Sequence, residues 1–256
     1  MRIATFNANS IRSRFNVLVK WLELHQPDIL AIQETKVQDV DFPISDFAKT
    51  GYEIIFRGQK KYNGVAIFSK EKPAEVVSTL PQDTTGQARF LKAQIGNITL
   101  INTYIPQGAA IDSDKFQYKL NWYRWLRDYL QTHHTPDEPI LWVGDLNVAK
   151  EAIDLHSPER LWGHVCFCEP VQKAFQEIID WGFVDVFREK HPEPGHYTFW
   201  DYRAPNGLER NVGWRLDYIM MTPKIADKCM DCWIDREPRS WDKPSDHTFL
   251  VADIDI

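Results

Sequence analysis

The sequence predicts an α/β (α+β) fold in four layers, with two packed mixed β-sheets inside and helices on both outer faces. Short apolar segments of strand length recur along the whole chain, whereas only three longer segments carry apolar residues at helical spacing. So few helices between so many strands favour mixed sheets over one all-parallel sheet. No low-complexity tract, glycine/serine linker or fixed repeat divides the 256 residues, so we expect a single domain over 1–256.

The strand predictions rest on short runs of β-branched, aliphatic and aromatic residues bounded by turn residues. The nine predicted strands are residues 2–7, 28–33, 52–56, 64–69, 90–95, 98–104, 140–143, 216–221 and 249–254. Two stacked sheets made from such strands would bury their facing apolar residues against each other.

The helix predictions rest on apolar residues that recur on one face every three to four positions. The three predicted helices are residues 14–25, 114–131 and 170–181. Pro27 follows the first and Gly182 follows the third, and both residue types end helices. Asp112 or Ser113 can cap the second helix. Its aromatic stripe is assigned to core packing, not to ligand contacts; the stripe comprises Tyr118, Trp122, Trp125, Leu126 and Tyr129.

The composition limits the class of protein. Hydrophobic residues make up 43% of the chain and ten are Trp, which permits a large core. The 36 acidic and 30 basic residues give a net charge of −6, which argues against nonspecific coating of nucleic acid but allows a local basic groove. No apolar run has the length of a membrane span, and Asn7 and Asn9 interrupt any signal peptide. We therefore expect a cytoplasmic protein with no membrane partner.

Four cysteines occur as two close pairs, Cys166 with Cys168 and Cys229 with Cys232. A zinc site would require the two pairs to meet in space, and no histidine spacing supports one. We expect buried thiols in a reducing compartment instead.

Polar side chains stand where many of the predicted strands end. The buried strand before Gly144 leads into Asp145 and Asn147, which lie two positions apart and so point the same way if strand geometry persists. Similar groups mark the ends of other strands, and the full set is Asn7, Asn9, Glu34, Tyr104, Asp145, Asn147, Asp217, Asp246 and His247. Each alone has an ordinary explanation as a loop or strand end, but together at one rim they would form an active site.

These residue types suit the metal-assisted hydrolysis of a phosphodiester. Glu34 and Asp246 offer the hard oxygen ligands that Mg²⁺ or Mn²⁺ prefers. Asp145 can take a proton from water, and His247, with Asp217 as its partner, can donate to a phosphoryl oxygen. The groups that would orient water and phosphate by hydrogen bonds are Asn7, Asn147 and Tyr104.

Six motifs in chain order resemble the exonuclease III family of abasic-site endonucleases. They are F-N-A-N at 6–9, Q-E-T-K at 33–36, N-T-Y-I-P-Q-G at 102–108, G-D-L-N-V-A at 144–149, N-V-G-W-R-L-D-Y at 211–218 and S-D-H at 245–247. The resemblance covers almost the whole chain. It implies the DNase I-like sandwich of the wider endonuclease/exonuclease/phosphatase superfamily.

The resemblance also implies roles for individual residues. Glu34 would bind the metal, with Asn9 and Asp246 nearby. The matching catalytic and phosphate-contacting positions are Asp145, Asn147, His247, Tyr104, Asn7 and Asp217. An apolar pocket for an extruded base-free sugar would be formed by Phe199, Trp214 and Leu216. Positions where family members contact DNA are Gln107, Arg12, Lys36, Lys60, Lys61, Tyr62 and Arg203.

Two regions depart from the family pattern or vary within it. Thr248 follows S-D-H where proline is frequent, which would loosen that loop. The segment 155–168 lies where relatives vary their DNA-contacting loops, and its candidate probes of the duplex are His156, Arg160, Trp162 and His164. The sequence leaves open the balance between abasic-site cleavage and trimming of 3′ ends.

We therefore expect a monomeric Mg²⁺-dependent DNA-repair nuclease, with Mn²⁺ as the alternative metal, that associates with the nucleoid when it acts. It would cut 5′ to abasic sites in double-stranded DNA and also act on 3′ ends, as a 3′→5′ exonuclease and 3′-phosphodiesterase. The alternatives are a lipid or inositol phosphodiesterase and a non-catalytic DNA-binding module. The motif at 211–218 argues against the first, and the intact set of acids, amides and histidine argues against the second.

Overall fold

Two mixed six-stranded sheets lie face to face at the centre of the structure, a computed structural model that describes residues 1–256. The strands are β1 (Arg2–Asn7), β2 (Ile29–Gln33), β3 (Glu53–Arg57), β4 (Val65–Ser69), β5 (Ala74–Val77), β6 (Phe90–Ile95), β7 (Ile98–Tyr104), β8 (Ile140–Asp145), β9 (Val184–Asp185), β10 (Asp217–Met221), β11 (Cys229–Asp235) and β12 (Phe249–Ile254). The first sheet has the order β11-β12-β1-β2-β4-β3 and the second the order β5-β6-β7-β8-β10-β9. Only two strand pairs are parallel: β1 pairs with β2 in the first sheet, and β7 pairs with β8 in the second.

Helices cover the two outer faces. They are α1 (Phe15–His25), α2 (Ile44–Phe47), α3 (Asp114–His133), α4 (Pro158–Leu161), α5 (Glu169–Gly182), α6 (Val186–Lys190) and α7 (Pro223–Ala226). Short 3₁₀ helices span Asp39–Asp41, Ala48–Thr50, Ala152–Asp154 and Glu237–Ser240. None of the helices has the length and apolar character that crossing a bilayer requires.

Three apolar cores separate the four layers, which confirms the predicted sandwich. Between the sheets, residues such as Ile67 of the first pack against Leu100 of the second. On the outer face of the first sheet, Trp21 of α1 stacks on Phe249 of β12 with ring centroids 4.1 Å apart. On the outer face of the second sheet, α3 and α5 cover a core that contains Trp142 of β8.

Helix ends differ slightly from the predictions. Ser113 caps α3 as expected, since its hydroxyl accepts from the Phe116 amide at 3.2 Å. Gly182 is the last residue of α5 and not the residue after it, and Phe183 follows in extended conformation. The α3 stripe is rotated from the predicted one: Phe116 and Lys119 are buried, whereas Tyr118 is only partly buried.

Three strands were not predicted. β5 lies at an edge of the second sheet with most of its residues exposed, and β9 has only two residues. β11 lies at the edge of the first sheet, with two exposed residues, Met230 and Asp231, between its two cysteines. Edge strands need little apolar surface, so their sequences lack the runs by which central strands are identified.

The two cysteine pairs lie in different cores. Cys166 and Cys168 are buried beneath the outer face of the second sheet, whereas Cys232 is buried between the sheets and Cys229 is partly exposed. All four are free thiols, and no cysteine belongs to a cluster of metal-ligating side chains.

Candidate active site

The ends of the central strands bring the polar residues of the motifs to one edge of the sandwich. Parallel strands of each sheet end there, β1 at Asn7 and β7 at Tyr104. β10 runs antiparallel to β8, so its first residue lies at the same edge. The register places Tyr104 beside Asp145 and Asp145 beside Asp217. A one-residue slip would turn these side chains to the opposite face, so apolar packing of the strands fixes their direction.

Asn7 connects carboxylates from the two sheets. Its fully buried amide donates to Glu34 Oε1 at 2.9 Å and to Asp145 Oδ2 at 2.8 Å. The side-chain oxygen of Asn7, Oδ1, accepts from the backbone N–H of Asn9 at 2.9 Å. One side chain therefore orients an acid after β2 and an acid at the end of β8.

A cation-binding position lies between Glu34 and Asn9. The Lys36 ammonium pairs with Glu34 Oε2 at 2.7 Å and also donates to Asn9 Oδ1. Asn9 in turn donates to Asp246 Oδ1 at 2.9 Å. Burial raises the pKa of Glu34, but Lys36 and the hydrogen bond from Asn7 outweigh it and hold that pKa below its usual value. A set of carboxylate and amide oxygens that already holds a positive charge fits a divalent metal ion.

His247 lies between two buried carboxylates. Its Nδ1 is 2.7 Å from Asp217 Oδ2, and its Nε2 is 3.7 Å from Asp145 Oδ2. Burial alone would lower the pKa of His247, but the two facing acids raise it to about 10. His247 is therefore an imidazolium at neutral pH, and Nε2–H is the proton that it can offer in the cleft.

The pKa of Asp145 lies far above the usual value of a carboxyl group. Burial raises the pKa of Asp145 to about 7, Asp217 and Glu34 add to the rise, and His247 opposes it. Asn147 lies in left-handed conformation, and its backbone amide donates to Asp145 Oδ1 at 3.0 Å. Its side chain donates to the Ile105 carbonyl at 2.9 Å, which joins the loops after β7 and β8.

Tyr104 is a hydrogen-bond donor. Burial raises its pKa well above the usual value, and Glu34 and Asp145 add to the rise. Arg89 lies over the ring at 4.7 Å. The phenol therefore keeps its proton at neutral pH, which suits contact with a phosphate oxygen.

An apolar wall stands beside these groups. The Phe199 ring is 4.9 Å from the His247 ring, and Phe199 and Trp214 pair through their backbones. Together with Leu216 they line a cleft of about 330 Å³, which Glu34, Tyr104, Asp145, Asn147, Asp246 and His247 also line. The structure therefore places the predicted pocket residues against the predicted phosphate-contacting residues.

The residues expected to contact DNA are spread more widely. Gln107 and Arg203 line the cleft, and Arg203 pairs with Asp201 at 2.6 Å. Arg12 and Tyr62 are exposed outside it. Lys36 differs from the expectation, because its ammonium is held by Glu34 and Asn9 instead of projecting toward a groove.

Lys119 on α3 is a positioning residue that the sequence reasoning missed. Its fully buried ammonium donates to the carbonyls of Gln107 (3.0 Å), Asn147 (2.6 Å) and Val165 (2.7 Å). These belong to three different loops around the cleft. The sequence does contain a sign of this role, because Lys119 lies three positions after Phe116 and four before Tyr123, on the apolar face of α3. A lysine in such a stripe needs buried acceptors.

Two further residues of the cleft come from the loop before α5. His164 packs edge-on against Trp214 with ring centroids 4.8 Å apart, and burial lowers its pKa. The Cys166 thiol lies 3.7 Å from the side-chain oxygen of Asn147. Trp162 of the same loop is 59% exposed and lies outside the cleft.

Comparison with known proteins places this geometry in a family. The sequence model of the endonuclease/exonuclease/phosphatase family matches residues 4–247. The chain belongs to that family. It is 33% identical to exodeoxyribonuclease III of Haemophilus influenzae over 99% of both chains, and 30% identical to an exodeoxyribonuclease of Bacillus subtilis over 91% of this chain and 93% of that one. The chain is thus a nuclease of the exonuclease III type, as the motifs predicted.

Solved structures of this family have the same fold. An AP endonuclease from Archaeoglobus fulgidus is 48% identical, with a TM-score of 0.98 and complete coverage of both chains. A 3′ phosphatase from Neisseria, solved with a product DNA hairpin, is 34% identical, with a TM-score of 0.95 and complete coverage of both chains. Enzymes of this family depend on a metal ion, and the acidic cleft of this chain has donors to hold one.

Proposed function

We propose that this nuclease hydrolyses the phosphodiester 5′ to an abasic site in double-stranded DNA and leaves a 3′-hydroxyl. The observation that carries the proposal is the apolar wall of Phe199, Trp214 and Leu216, which lines the same cleft as Asp145 and His247. A base-free sugar costs little to extrude from the helix, and an apolar recess beside the phosphate site can accept it while a normal nucleotide is excluded. The similarity to the Archaeoglobus AP endonuclease supports the same substrate.

Asp145 is the proposed general base. Each of its two oxygens accepts one hydrogen bond, from the Asn7 side chain or from the Asn147 backbone amide, so the carboxylate keeps a fixed orientation. A pKa of about 7 suits a base that must be ionised and yet accept a proton near neutral pH. Asp145 would take the proton of the attacking water as the water oxygen bonds to phosphorus and the bond from phosphorus to the 3′ oxygen breaks. The departing 3′ oxygen would take a proton from solvent water and become the 3′-hydroxyl.

His247 and Tyr104 are the proposed donors to the phosphate. Asp217 occupies Nδ1 of His247, so Nε2–H is directed at a non-bridging oxygen, where negative charge develops. Tyr104 adds a neutral hydrogen bond to the same group or to the leaving oxygen. Asn7 and Asn147 orient the reacting groups by hydrogen bonds and exchange no proton.

Mg²⁺ is the proposed cofactor, with Mn²⁺ as the alternative. Glu34, Asn9 and Asp246 would hold it; the first two already hold the Lys36 ammonium, and Asp246 accepts from Asn9. When bound, it would neutralise charge on the phosphate and on the leaving oxygen.

The same phosphate site supports action on 3′ ends. A 3′→5′ exonuclease or 3′-phosphodiesterase reaction breaks a phosphodiester of the same chemistry, and the Neisseria relatives are named as a 3′ phosphatase and a 3′-5′ exonuclease. We include both as activities of the one cleft.

All the proposed groups come from one chain, which we take to act as a monomer and as a single catalytic domain over 1–256. Chromosomal DNA as the substrate would bring it to the nucleoid. The residues proposed to contact the duplex beside the cleft are Gln107, Arg12, Tyr62 and Arg203. Lys36 would join them when a bound metal ion replaces its ammonium between Glu34 and Asn9.

Two end-labelled duplexes test the proposal. One carries a stable abasic-site analogue, and the other is fully paired with a recessed 3′ end. A Mg²⁺-dependent nick at the analogue that EDTA abolishes is the expected result. A ladder from the 3′ end without the nick would reject the abasic specificity, and cleavage unaffected by EDTA would reject the metal site.

A further inference from the structure

A second cluster of metal-ligating side chains lies on the surface, after α6. Here Glu193 stands between two histidines: its Oε1 is 2.8 Å from His196 Nε2 and 3.7 Å from His191 Nδ1. The ligand atoms of the three residues all lie within 4.8 Å of one another. Ligands of a tetrahedral zinc ion lie about 3.4 Å apart, since each is about 2.0–2.1 Å from the metal. None of the three lines the active-site cleft.

We propose that His191, Glu193 and His196 form a site for Zn²⁺ or a similar transition-metal ion, separate from the nuclease centre. Two imidazoles and one carboxylate are a known three-ligand zinc set that leaves a fourth position for water. Mg²⁺ prefers oxygen ligands only, so the metal expected in the nuclease cleft would compete poorly for this site.

The hydrogen bond of His191 sets its tautomer for metal binding. Its Nε2 lies 2.8 Å from the Cys232 carbonyl oxygen. A carbonyl can only accept, so Nε2 carries the proton and Nδ1 directs its lone pair toward Glu193. Metal-bound histidines usually donate their other ring N–H to a carbonyl or carboxylate in this way. In His191, Nε2 thus already makes this hydrogen bond, and Nδ1 is left to bind the metal ion.

The two imidazoles are held in place by the element that precedes them. Phe187 of α6 stacks on His191 at 4.6 Å and meets His196 edge-on at 5.7 Å. Arg188 donates to the backbone carbonyls of His191 (2.7 Å) and Glu193 (2.9 Å). The loop backbone and the two rings are therefore held before an ion binds, so that less conformational entropy is lost on binding.

A bound ion would stabilise the side of the cleft that carries the apolar wall. The loop continues from His196 through Tyr197 into Thr198, whose hydroxyl accepts from the amides of Leu216 and Asp217. It also contacts β11 through the Cys232 carbonyl. The ion would thus connect the end of α6 with the segment that carries the apolar wall, and its role would be structural.

Zn²⁺ binding to the purified full-length chain tests the proposal. Competition with a chromophoric chelator would be measured in excess Mg²⁺, which occupies the nuclease cleft. Wild type should bind one Zn²⁺, whereas Glu193→Gln and His196→Gln should bind it more than about 100-fold more weakly, beyond the 10–100-fold typical of outer-shell changes. The control, His133→Gln, removes an exposed histidine of α3 and should bind as wild type does.

Two further readouts separate this site from the others. Glu34→Gln should keep the Zn²⁺ equivalent, and X-ray absorption should show nitrogen and oxygen ligands. Loss of the equivalent in Glu34→Gln, or sulfur ligands from the cysteines, would overturn the assignment. The assignment would also be overturned if wild type and Glu193→Gln bound Zn²⁺ with equal affinity, or if wild type bound no stoichiometric Zn²⁺. Equal thermal unfolding of all variants without Zn²⁺ would establish that they are folded.

Discussion

His247 and the two acids beside it determine where protons reside in the cleft. Asp217 is fully buried and one of its oxygens has no hydrogen-bond partner, so its charge is balanced chiefly by the imidazolium. Asp145 is also buried but meets His247 at the longer distance of 3.7 Å. Asp217 thus stabilises the protonated imidazole, and Asp145 remains available to accept a proton from water.

Asp145→Asn should remove proton acceptance and preserve shape. Its single amide oxygen can keep only one of the two hydrogen bonds, from Asn7 or from the Asn147 amide, but the side-chain volume is unchanged, so the cleft and DNA binding should persist. We expect the single-turnover rate on an abasic-analogue duplex to fall by at least about 10²–10⁴-fold, the usual contribution of general-base catalysis. Binding would be followed by fluorescence anisotropy in EDTA. Asp137→Asn, at an exposed acid after α3, is the control. A rate near wild type would remove Asp145 from the mechanism.

Asp217→Asn should shift the alkaline limit of activity. An imidazolium donor is present below the pKa of His247, about 10, and is lost as the pH rises through it. Removing the Asp217 charge lowers that pKa, so activity should decline at a lower pH than in wild type. The measurement is the pH–rate profile between about pH 6 and 10 with the stable abasic analogue. Identical alkaline limbs would show that the Asp217–His247 pair does not control the reaction.

The individual site residues were largely predictable because they occur in short motifs at strand ends. Asp145 and Asn147 follow an apolar run, and the resemblance of the motifs gave each a role. The ion pair of Lys36 with Glu34 and the buried position of Lys119 were not predicted, for a shared reason. The environment of a long flexible side chain depends on tertiary contacts, which local sequence does not specify.

At the scale of elements, α3 connects the loops that surround the cleft. Lys119 projects from its buried face to carbonyls after β7, after β8 and before α5. Burial lowers the pKa of this lysine, and Cys166 and Asp145 oppose that shift. The helix therefore holds the relative positions of loops that would otherwise be joined only by their strands.

Lys119→Met should misalign the cleft. Methionine fills a similar volume but leaves three carbonyls without their donor, and each unsatisfied buried group costs about 1–3 kcal/mol. We expect lower stability in urea and a lower kcat with little change in KM, since the altered loops carry Asn147. Lys115→Met, exposed one turn earlier on α3, should behave as wild type. A destabilised variant with unchanged kcat would make Lys119 purely structural.

Central elements were easier to predict than edge elements. β1, β2, β7 and β8 are buried on both faces, and β2 and β8 show continuous apolar runs. β5, β9 and β11 are short or partly exposed, and partner strands rather than their own sequences determine where they pair. The missed strands all lie outside the cleft, so these omissions did not affect the predicted site.

At the scale of the whole molecule, a buried polar connection joins the sheets beneath the site. Asn102 of β7 accepts from Gln33 of β2 at 2.7 Å and donates to the carbonyls of Ile32 (3.0 Å) and Ala66 (2.9 Å). An apolar interface permits sheets to slide, whereas these bonds are satisfied in one arrangement only. The alignment of Asn7 with Asp145 depends on that arrangement.

Asn102→Leu should therefore loosen the sandwich. The substitution fits the volume but removes the acceptor of one Gln33 N–H, whose amide still donates to Thr5, and the donor to two carbonyls. The free energy of unfolding should therefore fall by about 1–3 kcal/mol or more. Urea denaturation measures it, with Asn97→Leu in the exposed turn between β6 and β7 as the control. Unchanged stability of the Asn102 variant would show that apolar packing alone aligns the sheets.

The first and last strands of the chain lie side by side. β1 pairs with β12, and the Ser245 hydroxyl donates to the Asn7 carbonyl across 238 positions of sequence. His247 directly precedes β12, so the imidazole and the acids that it faces come from strands far apart in sequence. Local folding of any one segment cannot assemble the cleft, which forms only when β1 and β12 have paired. Fragments that lack either strand would therefore have the acid of β8 without a placed imidazole.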